Sequence, residues 1–161
     1  MEAVQEFVAS YSSERGERYK EYMHAIAEKG FERFVEVEKS HVRGENLPDG
    51  FVPATTLWLV DHGEFIGGVS IRHRLNEHLL KVGGHIGYDV RPSQRNKGYG
   101  SKILELALPV ARGLGIDRVL VTCDATNEAS RKIIEKNGGV LENSAIDEKS
   151  GVERLRFWIT V

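Results

Sequence analysis

A mixed α/β domain is what the sequence predicts, and three observations carry the prediction. Residues 2 to about 41 repeat apolar positions at helical spacing; residues 55–90 hold short strand-like runs; the second half alternates helices with strands. At 161 residues the chain is long enough for about one domain with one substantial core. Residues 1–161 are therefore read as a single domain, with a helical N-terminal segment over 1–45 and a core over 55–161.

The elements follow in order. Tyr19, Tyr22, Met23 and Ile26, then Phe31, Phe34, Val35 and Glu38, predict two helices broken near Lys29-Gly30. Residues Arg43 to Gly50, with two glycines, Asn46 and Pro48, read as a loop. Thr55–Val60 and Glu64–Ile71 flank Asp61-His62-Gly63, a hairpin. A third strand is expected within Val82–Val90, where Gly83, Gly84 and Gly87 suggest a close approach to its backbone. The next helix places Ile103, Ala107, Val110/Ala111 and Leu114 on one face and ends at Gly113 or Gly115, with a kink expected at Pro109. Arg118–Cys123 is a β-branched run of the kind covered on both faces. Asn127 caps a helix stopped by Asn137-Gly138-Gly139. Val140–Glu142 and Arg154–Val161 complete the order ααβββαβαββ.

Composition sets limits on function. The net charge of −2 gives no general electrostatic case for nucleic acid or an acidic membrane surface. A single cysteine, Cys123, rules out an internal disulfide and fits a reducing cytoplasm. The acidic N-terminus does not resemble a secretory signal, and no run approaches about 18 apolar residues. A cytoplasmic location is expected. Six histidines are present, but none forms a zinc-like spacing, so no metal is expected.

Arg91 to Gly100 is the segment that carries chemistry. A turn with Arg, Lys and two close glycines, opening onto a helix N-terminus, lets backbone N–H groups converge on an anion such as phosphate or diphosphate. It is not a P-loop, because Gly100 is followed by Ser101-Lys102 in the wrong order. Nor is it a dinucleotide fingerprint, because the position of the third glycine is Ile103. What it satisfies is Arg/Gln-x-x-Gly-x-Gly/Ala, through Arg95, Gly98 and Gly100.

That pattern resembles the acetyl-coenzyme A signature of the GNAT superfamily of N-acetyltransferases. A second segment, Asn127 to Gly138, looks like the family's Asn-x-x-Ala/Ser-x-x-x-Tyr-x-Lys-x-Gly, matching at Asn127, Ser130, Lys136 and Gly138. A closer likeness, to an uncharacterised predicted-acetyltransferase group, is carried by the segments from Ile71 to Glu77 and from Gly83 to Tyr88, and the resemblance implies a mostly antiparallel central sheet flanked by helices. Position by position, it implies that Asp89 and Val90 meet the pantetheine arm through their backbone. Arg95, Asn96, Lys97, Gly98, Tyr99 and Gly100 would cradle the diphosphate, and Asn127 and Ser130 would lie beside the coenzyme. A helix cap is the other reading of Asn127. Acetyl-coenzyme A is the implied co-substrate and a primary amine the implied acceptor, joined in a ternary complex.

One departure matters: the family's tyrosine, which protonates the leaving thiolate, is replaced by Ile134. Tyr88 is a substitute candidate, and His85 is the leading side-chain base, because imidazole titrates near neutrality. A structural histidine is the alternative. Asp89 and Glu77 are open as bases working through water. Arg72 and Asn76 are candidate acceptor contacts, with a carboxylate-bearing substrate as the corresponding expectation. The competing class is a non-catalytic acyl-coenzyme A sensor. Nucleic-acid and membrane partners are not expected, and a homodimer stays open.

Overall fold

A computed structural model describes residues 5, 6, 9, 10, 28 and 30–161. The first of the two expected N-terminal helices lies outside the described residues. The second is present as α1, Phe31–Val42, preceded by Gly30 at φ +79°. Glu32 in its first turn and Lys39 and His41 in its last complement the helix dipole.

Strands β1 (Ala54–Asp61) and β2 (Glu64–Arg72) form the hairpin. His62 and Gly63 both take positive φ, +47° and +80°, the turn geometry whose twist matches the paired strands. A wide turn, Leu79–Gly83, then leads into β3, Ile86–Val90. Strand β3 thus lies within the expected segment Val82–Val90, at its C-terminal end. Gly84, at φ +69°, brings the backbone so close to β4 that a Cβ there would lie 2.6 Å from the Leu120 carbonyl oxygen.

After a short 3₁₀ turn, Pro92–Gln94, come α2 (Tyr99–Gly113), β4 (Arg118–Asp124), α3 (Glu128–Lys136), β5 (Val140–Ile146) and β6 (Glu153–Thr160). The α2 helix continues past Pro109. Both Pro109 and Glu105 are exposed, so the carbonyl left without its helical donor faces water.

The six strands lie in the order β1-β2-β3-β4-β6-β5. All neighbours are antiparallel except β3 and β4. One face of the sheet packs on α2 and α3: Val69, Ile71, Ile86, Val119, Val121, Phe157 and Ile159 meet Ile103, Leu104, Ala107, Ala111 and Ile134. Helix α1 covers β1 on the other face, where Trp58 sits 5.8 Å from Phe31, 5.9 Å from Phe34 and 5.5 Å from Phe65, ring centre to ring centre. Among the described residues, no helix is long and apolar enough to cross a membrane.

Candidate active site at the parting of β3 and β4

The single parallel junction positions the site. His85 N–H donates to the Leu120 carbonyl at 2.7 Å and Ile86 stands beside Val121, but the pairing goes no further. Beyond it Gly87–Val90 continue along β2, and Thr122–Asp124 continue along β6. The strands separate because each follows its other neighbour, which leaves a gap in the middle of the sheet.

The Arg91–Gly100 turn closes one end of this gap. Asn96 and Gly98 take φ of +62° and +86°, and α2 begins at Tyr99 without a side-chain cap. Lys102 N–H already reaches the Gly98 carbonyl at 3.2 Å. Among the described residues, nothing accepts from the N–H groups of Asn96 to Ser101. Donors without acceptors at the positive end of a helix suit an anion. The flanking side chains brace the turn: Arg95 Nε donates to the Val90 carbonyl at 3.1 Å, Lys97 Nζ to Gln94 Oε1 at 2.9 Å, and Tyr99 Oη to Asp61 Oδ2 at 3.0 Å.

The two glycines do different work. Nothing lies within 4 Å of a Cβ built on Gly98, so that residue serves its left-handed conformation and an open approach. At Gly100 a Cβ would fall 2.6 Å from Ile133 Cδ1, so the second glycine lets α2 and α3 pack closely.

A contact unforeseen from the sequence fixes the start of the turn. Glu6 accepts from Arg91 Nε at 2.8 Å and from Ser93 N–H at 3.0 Å. These hydrogen bonds hold its carboxyl down at about 2.

At the helix face of the gap, Tyr88 Oη is 2.9 Å from Ser130 Oγ in the first turn of α3. Burial pushes the phenol up to about 12, against the opposing pull of that hydrogen bond. Asn127 Oδ1 accepts from Ser130 N–H at 3.0 Å, so its cap role is filled while its amide donors point elsewhere. The buried Cys123 thiol is raised by desolvation, which makes it a poor nucleophile.

Other candidates are engaged in holding the fold. His85 Nδ1 accepts from Leu120 N–H at 2.9 Å, and burial, with Arg72 nearby, lowers its pKa. The imidazole is therefore neutral with its proton on Nε2, which leaves no lone pair for a base. Arg72 donates to the Gly83 and Gly84 carbonyls at 3.3 and 3.0 Å and secures the wide turn. Asn76 caps that turn through Leu79 N–H and donates to the Gly50 carbonyl, both at 2.9 Å. Asp89 and Val90 lie where expected, at the free-running end of β3.

A family model described as an acetyltransferase (GNAT) domain matches residues 2–140. The chain belongs to the GNAT acetyltransferase family. Solved GNAT structures share its fold. A RimL ribosomal-protein α-N-acetyltransferase in complex with coenzyme A is 19% identical at a TM-score of 0.63, covering 99% of this chain and 85% of that one. A yncA acetyltransferase from Salmonella typhimurium, with acetyl-CoA, is 16% identical at 0.56, covering 80% and 72%. A GNAT acetyltransferase from Streptococcus pneumoniae is 23% identical at 0.54, covering 67% of this chain and 66% of that one. No curated protein matches the chain in sequence.

In this GNAT acetyltransferase Ile134 is fully buried in the core, so the usual tyrosine position cannot be reached from the gap. On the sheet face away from α2 and α3, Asp124 ends β4 and pairs with Arg154, directly opposite on β6. The sequence reading missed this pair, because only the β4–β6 register brings the two together. Among the described residues, no group of His, Cys, Asp or Glu is arranged to hold a metal.

Proposed function

We propose that the protein transfers an acetyl group from acetyl-coenzyme A to a primary amine of a small molecule or peptide, by direct attack in a ternary complex. One observation carries this reading: among the described residues nothing accepts from the N–H groups of Asn96–Ser101, at the start of the helix that follows the parted strand β3. Arg95, Asn96, Lys97, Gly98, Tyr99 and Gly100 fit a diphosphate, and the open space at Gly98 admits it. The backbone of Asp89 and Val90, the amide donors of Asn127 and the hydroxyl of Ser130 suit the pantetheine arm.

In the transfer the amine nitrogen forms a bond to the acetyl carbon while the C–S bond breaks, so the amine loses a proton and sulfur leaves as thiolate. Positioning of the two reactants supplies much of the rate. Tyr88, with a phenol at about 12, keeps its proton near a thiolate whose own acid lies near ~8.5. It therefore hydrogen-bonds the departing sulfur without handing over its proton. With the His85 lone pair taken, the amine proton leaves through water or through the carboxylates at the strand ends, Asp89 and Asp124. The rate per acceptor should then rise with pH toward the amine's own pKa, about 10 for an alkylamine.

Calorimetric titration with acetyl-coenzyme A, followed by thiol release over a panel of amines, tests the reading. Binding with turnover supports it. Binding without turnover on any amine favours an acyl-coenzyme A sensor, and absence of binding removes the cradle.

A further inference from the structure

The phosphate donors, Tyr88 and Ser130 all stand on the helix side of the gap, so an acceptor reaches the thioester from the opposite face. Asp124 and Arg154 lie on that face, beside the gap. We propose that the acceptor carries a carboxylate as well as its amine, and that Arg154 binds the carboxylate. This inference rests on the transferase reading above.

Arg154 differs from its neighbour in how it is held. Arg156, two residues along the same face, is fastened by the Glu142 carboxylate at 2.7 Å, Asn143 Oδ1 at 2.8 Å and the Leu80 carbonyl at 3.1 Å. Its guanidinium is a strut between β6, β5 and the wide turn. Among the described residues Arg154 is tied through Nη1 alone, to Asp124, and its side chain keeps 26% of its exposure. Its Nε, like that of Arg156, is buried with no partner among the described residues, and what sets Arg154 apart is that no described residue accepts from its Nη2.

Nε and Nη2 form the edge of a guanidinium that grips a carboxylate through two parallel hydrogen bonds. A buried donor without an acceptor is costly, so the resting side-chain position is not the one that best satisfies the residue. A carboxylate arriving from solvent satisfies that edge once the side chain turns toward it. Asp124 is then released at the gap, next to the incoming ammonium of the same molecule. The wide turn and the β5–β6 turn flank this floor and are joined by Lys81 and Glu148 at 2.5 Å. An amino acid or a peptide with an acidic residue at its N-terminus presents the required pair of groups.

The test compares acceptors that differ only in the carboxylate. Thiol release from acetyl-coenzyme A is measured with the standard L-amino acids and with their carboxamides, alongside calorimetric titration of acetyl-coenzyme A into each variant. The wild type should use the acids roughly 10- to 100-fold better in kcat/KM, the value of a charge-assisted pair. In Arg154→Gln that ratio should fall toward one, chiefly through KM, with Arg154→Lys recovering part of it. Equal use of acids and amides by the wild type overturns the inference, as does a ratio unchanged in Arg154→Gln that still binds acetyl-coenzyme A. Failure of the wild type to bind acetyl-coenzyme A removes the transferase reading, and this inference with it.

Discussion

Replacing Tyr88 by Phe removes one hydroxyl from the gap and leaves the ring, and its effects can be worked from the contacts. The hydroxyl is 2.9 Å from Ser130 Oγ, in a site buried enough to lift the phenol from 10 to about 12. The folded form thus holds its proton more tightly than the unfolded chain. Below pH 10 this contribution to stability is fully present; as pH rises from 10 through about 12 the unfolded chain ionises first and the contribution is lost. The difference between 10 and about 12 corresponds to about 3 kcal/mol across that window. Urea unfolding at fixed pH from 9 to 12 reads it as a fall in midpoint for the wild type that is steeper than for Tyr88→Phe. At pH 8, where both phenol and thiol-side chemistry are in their working states, the variant should lose about 1 kcal/mol of stability and, if Tyr88 steadies the departing sulfur, roughly 10- to 100-fold in kcat. Parallel slopes for the two proteins between pH 10 and 12 would refute the burial argument. An unchanged kcat would refute the role assigned to the hydroxyl.

Three further predictions concern neighbouring positions. Gly98→Glu should abolish acetyl-coenzyme A binding by calorimetry while costing only the ~1–2 kcal/mol of a left-handed backbone, whereas Gly100→Glu should lower the thermal midpoint by driving into Ile133. His85→Phe leaves Leu120 N–H without its acceptor and should cost about 1–3 kcal/mol by chemical unfolding. Because the folded imidazole resists protonation, wild-type stability should fall as pH drops below 6.5, and the variant should show a shallower fall. Pro109→Ala restores an N–H toward the Glu105 carbonyl on an exposed helix face and should raise stability by about 1–3 kcal/mol, read as a higher thermal midpoint.

What the sequence made legible was local. The hairpin turn, the alternation in β6, the apolar run of β4, the Asn127 cap and the left-handed glycine of the anion turn all depend on residues within a few positions of one another. The missing family tyrosine at Ile134 was legible for the same reason. The partners were not. Glu6 and Arg91 are 85 residues apart, and no spacing rule links them. Asp124 and Arg154 meet only because β6 runs antiparallel to β4 in one particular register. His85 read as a base because its residue type suits one; its orientation, with Nδ1 on a buried N–H, is a tertiary fact. Arg72 looked available for a substrate until the wide turn folded its carbonyls onto it. The partner of the close approach at Gly84 has the same origin, since the steric demand there comes from Leu120 on another strand.

The parting of β3 and β4 has a consequence for how such a protein tolerates change. A recognition edge made of peptide groups is spelled by no particular side chain, so most substitutions along Gly87–Val90 or Thr122–Asp124 leave its pattern of donors and acceptors standing. Proline, which deletes a donor, is the replacement that erases a letter. Identities of 16–23% with folds that superpose are what such an arrangement permits: the surrounding alphabet drifts while the backbone frame is kept.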